Sequence, residues 1–282
     1  MPVIRSVGRY VLDSWAPSVG QAYRLLRDER TALVPGAPTP FGFSLAGNNS
    51  MATGSFERDE VDVFLKHLHR VSTCIDIGAN IGLYTCLAAS HRKHVVAVEP
   101  MASNLKLLYR NLVSNGFLGV EVFPLGLSGE VGLKRLFGSG TGASFVQGWA
   151  GASQRFYSVV PVSTLDVIVN TRFDGLPVLI KMDVEGFEHE LLKGAERTLG
   201  IDPKPTWLVE ISLNEHFPSG LNHQFYETFE LFWRHGYQAS IADAEQRRVD
   251  PDDVRRWAKQ GFVDFGSYNY LFQDESSTDR DI

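Results

Sequence analysis

The chain has 282 residues, of which 44% are hydrophobic, and 27 Lys and Arg against 33 Asp and Glu give a formal charge of −6 with His neutral. This composition excludes a chain dominated by disorder and supplies core for one large α/β domain or two small ones. A net negative chain has no global attraction for phosphates or an anionic membrane, so no nucleic-acid partner is expected.

In chain order, Met1–Asp13 has its apolar residues interrupted by Arg5 and Arg9, and nowhere does an apolar run approach the roughly 20 residues of a membrane span. Neither an export signal nor a membrane span is expected. A short helix is expected around Val7–Arg27, then a turn-rich stretch at Pro35–Pro40 that cannot propagate a helix. Residues 1–50 read as an accessory segment. From Asp59 to Leu68 the apolar Val61, Phe64, Leu65 and Leu68 fall at helical spacing, with Asp59 and Glu60 in the first turn, where the helix dipole favours acids.

Strand and helix signals then alternate. Strands are expected at Thr73–Ile77, His94–Val98 and Val120–Leu125, and helices at Ile81–Ser90 and Met101–Asn115. Two β-like runs, Val131–Phe137 and Phe156–Val162, flank the Gly/Ser-rich stretch Gly138–Ser153, which is either a mobile lid or a tolerated loop. Strands follow at Pro177–Asp183 and Thr206–Ile211 with a helix, Phe187–Leu199, between them. The last third predicts a helix at Asn222–His235, an extended run at Tyr237–Ile241 and a final strand at Val263–Phe272, before a polar tail expected to be disordered. Alternation at this spacing implies a parallel sheet covered on both faces. The only cysteines, Cys74 and Cys86, read as small buried apolar residues and point to a reducing, cytoplasmic compartment.

The most informative stretch is Asp76-Ile-Gly78-Ala79-Asn80-Ile-Gly82, where the first core strand turns into a helix. Its glycines allow backbone to approach a ligand closely, and Glu99, followed by Pro100 at the end of the next strand, is placed to grip a ribose hydroxyl pair. Nicotinamide dinucleotides and S-adenosylmethionine both bind this way, so charge must decide. A pyrophosphate needs a Gly-rich helix N-terminus free of carboxylates. Here Asn80 replaces the middle glycine of G-x-G-x-x-G and Asp76 opens the motif, which favours S-adenosylmethionine, whose ammonium Asp76 can meet.

Taken together, Asp76–Thr85, Val98-Glu-Pro100, Leu125-Gly-Leu-Ser128, Ser163-Thr-Leu-Asp166, Ile180-Lys-Met-Asp-Val-Glu-Gly-Phe-Glu188 and Leu208-Val-Glu-Ile211 resemble the FkbM family of S-adenosylmethionine-dependent methyltransferases over about residues 40–272. The resemblance implies a class I methyltransferase fold: an α/β, Rossmann-like, seven-stranded, mostly parallel sheet with helices on both faces and an antiparallel last strand. A β-hairpin insertion and an N-terminal accessory segment are added here. It also implies O-methylation of a metabolite, sugar, glycan or polyketide hydroxyl. It assigns Glu57, within Gly54-Ser-Phe-Glu57, together with Asp76, Gly78, Ala79, Asn80, Gly82, Glu99, Pro100, Asn104, Gly126, Leu127, Ser128 and Asp183 to the cofactor. Many relatives read Ala-Leu-Ser-Asp where this chain has Gly126-Leu-Ser-Gly129, so the resemblance does not carry over a carboxylate contact to the adenine amine from this loop. The methyltransferase domain is expected at 51–273 and the tail at 274–282.

Lys181, Asp183 and Glu185 fall at a strand's carboxyl end, where ligands of open parallel sheets sit. Methyl transfer needs the acceptor oxygen held in line and its proton removed, and Asp183, Glu185, Glu210, His216 and Lys181 are the candidates for that work. His216 has the intrinsic pKa best suited to a base near neutrality. Lys181 is expected to pair with Asp183 or Glu185, and Glu188 to lie on a helix surface with Lys193 or His189. Asp183 with Glu210 offers oxygen ligands to Mg²⁺, but two carboxylates without defined spacing do not make a metal site, and none is assigned. The Phe225, Tyr226, Phe229, Phe232, Trp233 stripe reads as core, Asn269 as a residue needing partners, and Arg247, Arg248, Arg255 and Arg256 as a solvated face. The alternatives are a nicotinamide-dependent oxidoreductase on the same turn, which lacks its full glycine motif, and a non-catalytic scaffold of the same fold.

Overall fold

Strands β3 (Thr73–Ile77) and β9 (Val178–Met182) lie side by side at the centre of the main sheet, and every residue of both is buried. A strand covered on both faces has no need for polar alternation, and apart from Thr73, Asp76 and Lys181 both strands consist of apolar residues. This computed structural model describes residues 35–266 and 268–275; the helix expected over 7–27 and the tail beyond Glu275 lie outside the described residues. On one side β4 (His94–Val98) and β5 (Glu121–Phe123) continue the sheet in parallel. On the other, β10 (Thr206–Glu210) is parallel to β9, and β13 (Asn269–Asp274) runs antiparallel between β10 and β11 (Tyr237–Ile241). A two-residue β12 (Arg248–Val249) pairs with β11, so the expected seven strands become eight, in the order β12-β11-β13-β10-β9-β3-β4-β5.

Alternate residues divide the core between the two faces. Cys74, Val95, Leu179, Leu208 and Leu271 face one layer, formed by α2 (Arg58–Leu68), α3 (Leu83–Ser90) and α4 (Ala102–Ser114). Ile75, Val96, Ile180, Val209 and Tyr270 face the other, which includes α5 (Leu165–Val169), α6 (Glu188–Leu192), α8 (Phe225–Arg234) and α9 (Pro251–Gln260). Of the expected aromatic stripe, Phe225, Phe229 and Phe232 are fully buried, and Phe232 stacks on Phe272 with ring centroids 3.8 Å apart.

Three expectations change, and one helix is new. Residues 35–50 do not stand apart: β1 (Ala37–Pro38) pairs with β2 (Ser44–Leu45), α1 (Asn49–Thr53) follows, and Phe43, Leu45 and Ala46 are buried in the core. Asn111 on α4 fastens them, accepting from the Ala46 amide (2.9 Å) and donating to its carbonyl (3.2 Å). The helix expected over 187–199 breaks into α6 and α7 (Glu196–Leu199), and between them Gly194 packs so closely that a Cβ there would be 2.3 Å from the Ser128 carbonyl oxygen. The final strand starts at Asn269 rather than Val263, and α9 precedes it. That helix begins on a capping box in which Asp250 accepts from the Asp252 and Asp253 amides, with Pro251 in the first turn.

The insertion forms a second sheet, with β8 (Tyr157–Ser163) between β6 (Gly126–Leu127) and β7 (Gly132–Phe137). Its long loop, 138–153, contains two single turns and folds back on the carboxyl end of β9.

Closest packing occurs where β3 ends. Gly78 has φ +79°, and a Cβ there would lie 1.8 Å from the Asp183 carbonyl oxygen. Gly78→Ala therefore has to force the ends of β3 and β9 apart, and we expect it to lower unfolding free energy by about 1–3 kcal/mol or more, as overpacking does. Urea denaturation checks this; an unchanged midpoint would show that the two strand ends do not meet as described.

Candidate active site

The carboxyl ends of β3, β4 and β9 and the insertion border an open cleft, whose space together with the solvent at its mouth is about 510 Å³. One wall is the β3–α3 turn at Gly78 and Asn80; opposite lie Asp183, Val184 and Glu185 after β9. Between them, Val98, Pro100, Leu125, Leu127, Leu136 and Phe145 form an apolar slot. The loop 138–153 supplies Gly140, Thr141, Ala143 and Phe145 to the lining, so it forms one wall of the cleft. Phe145 packs on Gly126, where a Cβ would be 2.3 Å from the ring.

Glu99 directly follows β4 and is 4% exposed. Its Oε1 accepts from the Met101 amide (2.7 Å) and the Asn104 side chain (3.3 Å), and its Oε2 from the Asn80 amide (2.8 Å). Burial pushes its pKa up to about 7 although these donors pull it back. Oε2 keeps acceptor capacity for a further donor, which is what a ribose hydroxyl requires. Asn104 also donates to the Gly140 carbonyl at 3.1 Å, tying the insertion to this side of the cleft.

Asp76 stands elsewhere. It is 1% exposed, takes the Thr85 hydroxyl as a short hydrogen-bond donor, and does not line the cleft. Burial raises its pKa to about 6, with the Thr85 bond opposing. Its side chain braces the β3–α3 turn from behind instead of reaching toward a ligand. Ala79, Gly82 and Ser128 are likewise behind the cleft surface, whereas Gly126 and Leu127 line it.

Behind Asp183 lies a charged cluster that sequence reasoning did not assemble. Lys181 is 1% exposed, and its Nζ is 2.9 Å from Glu60 Oε1 and 3.8 Å from Asp183 Oδ2. Its main partner is therefore Glu60 on α2, where an acid in the first turn had suggested only a dipole contact. Burial would strip the Lys181 proton, but Glu60, then Asp183, Glu57 and Glu210, together hold its pKa above the ordinary value. Glu57 caps the start of α2 with φ +43° and accepts from Tyr84 Oη at 3.2 Å. Burial, with Glu60 beside it, pushes its pKa up to about 8. The neighbouring Asp183 and burial also raise Glu210 well above the carboxylate range. Asp183 Oδ1 is buried with no hydrogen-bond partner. Glu185, with φ +54°, accepts from Trp149 Nε1 at 2.8 Å.

Glu188 and His216 are also placed differently from expectation. Glu188 is no surface residue: it is 2% exposed and accepts from the Gly186 amide at 3.0 Å, because it begins α6 facing inward. His216 is exposed, edge-on to Trp149 (5.6 Å), and outside the cleft lining. The structure brings Asp183, Glu185 and Glu99 together in the cleft, places Lys181 behind Asp183, and leaves His216 outside. Among the described residues no group of three or more His, Cys, Asp or Glu is arranged to hold a metal ion.

Burial raises the Glu188 pKa from 4.5 to about 7, against the backbone donors that pull it down. A carboxyl raised in the folded state contributes stability that is full below its unfolded pKa and lost as pH rises through the folded one. Glu188→Gln keeps the acceptor oxygen and cannot ionise. Between pH 5 and 8 its unfolding free energy should fall less steeply than the wild type's; parallel denaturation curves across that range would contradict the burial of this carboxyl.

Residues 76–239, more than half of the chain, match the model of the methyltransferase FkbM domain. No curated protein matches. Among solved structures, a methyltransferase FkbM from Methylobacillus flagellatus KT is 18% identical, covering 93% of this chain and 62% of that one, with a TM-score of 0.42. The chain thus spans less than two thirds of that relative. A precorrin-6y C5,15-methyltransferase from Geobacter metallireducens GS-15 is 12% identical over 83% of this chain and 97% of that one, TM-score 0.44. A SAM dependent methyltransferase from Agrobacterium tumefaciens is 10% identical over 86% and 69%, TM-score 0.43. On the family match, this chain belongs to the FkbM methyltransferase domain family.

Proposed function

We propose that the chain is an S-adenosylmethionine-dependent O-methyltransferase acting on a hydroxyl of a small metabolite, a sugar or glycan, or a polyketide. One observation carries this reading: the cleft is lined by Glu99, Asp183 and Glu185 and by no Lys, Arg or His among the described residues. Such a lining sets no cation against a sulfonium or an ammonium and offers a pyrophosphate no cation to pair with, which disfavours a nicotinamide dinucleotide. The residues present fit the cofactor: Glu99 for the ribose and the Val98–Leu127–Phe145 slot for the adenine. When bound, the cofactor supplies an electrophilic methyl whose leaving group departs as a neutral thioether.

The chain's own work is then positional and protonic. Asp183 lines the cleft with its side chain partly exposed, so its carboxylate can orient the acceptor hydroxyl and take its proton as the new C–O bond forms. Lys181, fixed by Glu60, stands 3.8 Å behind Asp183 Oδ2 and steadies that carboxylate. Glu57, Glu185 and Glu210 hold protons more tightly than ordinary carboxyls, which limits the repulsion around Asp183. The catalytic unit in this reading runs over about 51–273 together with the 35–50 segment fastened to it. A cytoplasmic setting is in keeping with the two free, buried cysteines. No helix among the described residues is long and apolar enough to cross a membrane.

Calorimetry with S-adenosylhomocysteine and turnover with methyl-labelled cofactor on a panel of hydroxylated acceptors test the reading together. Asp183→Asn is expected to lower transfer by about 10²–10⁴-fold, the usual worth of a positioned base, while cofactor-product affinity stays within a few-fold. Undiminished transfer removes Asp183 from the mechanism, and a protein that binds NAD(H) but neither S-adenosyl compound defeats the reading altogether. Glu99→Ala, which removes the ribose acceptor, should weaken S-adenosylhomocysteine binding by about tenfold or more, the worth of a lost hydrogen bond to a charged group.

A further inference from the structure

Three separate segments converge on the indole of Trp149. It is 2% exposed in the middle of the insertion loop, with Phe217 edge-on at 4.8 Å and His216 at 5.6 Å, both from the segment after β10. The Ala150 amide donates to the His216 carbonyl at 2.9 Å, locking those two segments together. The third segment is the turn after β9. A Cβ at Gly186 would lie 2.3 Å from the indole, so the ring presses on that turn. Glu185 just before it has a left-handed backbone, φ +54°, which a non-glycine residue adopts only when its surroundings impose it. The insertion imposes it at both ends of the residue: Ser144 Oγ donates to the Glu185 carbonyl at 2.6 Å, and Trp149 Nε1 donates to Oε2 at 2.8 Å.

From this geometry we propose that Trp149 is a positioning residue, through which the insertion holds the cleft-lining Glu185 carboxyl in one orientation by a hydrogen bond to its Oε2. The proposal rests on the cleft being the methyl-transfer site. Because the indole N–H engages Oε2, that oxygen is turned toward the insertion and Oε1 is left for the cleft, which Glu185 lines. The groups that act electrostatically on Glu185 are Asp183 and Glu188, which oppose its ionisation, and Lys181, which favours it. His216 lies beyond the indole, and Lys134 stands 6.0 Å over the adjacent Phe187 ring. Burial is the largest influence and raises the carboxyl to about 8, while the indole hydrogen bond pulls it down. An indole N–H stabilises the carboxylate more than the acid, so its removal must raise the pKa further.

The test is an NMR titration of the full chain with ¹³C-labelled glutamate side chains and ¹⁵N-labelled indoles. In the wild type the Glu185 carboxyl, assigned by its loss in Glu185→Gln, should titrate far above ordinary carboxylates, near pH 8. The Trp149 indole N–H should shift over the same range and stop shifting in Glu185→Gln. In Trp149→Phe the Glu185 midpoint should rise by about half a unit or more, with Glu99 unmoved as a control for folding. An equal midpoint in wild type and Trp149→Phe overturns the proposal. If the phenylalanine variant does not fold, an indole signal in the wild type that ignores pH between 6 and 10 overturns it as well. The titration needs neither cofactor nor acceptor, so its failure is distinct from failure of the methyl-transfer reading, which S-adenosylhomocysteine calorimetry decides.

Discussion

The carboxyl edge of this sheet depends on one buried ammonium. Lys181 sits in the central strand β9 with its Nζ 2.9 Å from Glu60 and 3.8 Å from Asp183, and 5.2 Å from the centre of the Tyr84 ring. Taking such charges out of water is expensive, and removing one partner leaves the other without compensation. The ammonium is what permits Glu57, Glu60, Asp183 and Glu210 to share so small a volume. It also draws the first turn of α2 against the end of β9, so Glu57 and Glu60, both preceding the family-matched segment, become part of the site's floor. Because these carboxyls perturb one another, protons are gained and lost by the group more than by any single residue.

The cleft in front of this cluster is built by segments remote in sequence. Asn104 on α4 bridges Glu99 to Gly140, and Ser144 and Trp149 reach Glu185, so the insertion is tied to both rims. The same insertion packs against the adenine-side loop: at Gly126 the Phe145 ring occupies the place that a side chain would take.

Much of the fold was legible because it is written in local pattern. The bounds of β3 and β4 coincide with the apolar runs Thr73–Ile77 and His94–Val98, since strands covered on both faces leave no ambiguity of register. Glu99, Asp183 and Glu185 were legible in the same way, as acids at strand ends. What sequence hid is long-range pairing. Glu60 in a first helical turn looks like any dipole-favoured acid, and nothing local shows that Lys181 lies against it. Glu188 looks like a surface acid until α6 turns it inward, and Asp76 looks like a ligand contact until Thr85 closes over it. The missed α9 did carry a local signal, Asp250-Pro251-Asp252-Asp253 with Val254 and Trp257 on one face, but its arginines drew attention to charge instead. Trp149 had no signal at all inside a Gly/Ser-rich stretch; only the folded loop shows what it touches.

The most direct test of this account is a double-mutant cycle on Glu60→Gln and Lys181→Met, read by chemical denaturation at neutral pH. If the ion pair is the constraint on which the edge depends, each single change strands a buried charge and destabilises by about 3–5 kcal/mol, as breaking buried pairs does. The double variant should then be more stable than the sum of the two losses predicts, by at least about 1 kcal/mol. Additivity within about 0.5 kcal/mol would show that Glu60 and Lys181 do not depend on each other, and would contradict the account.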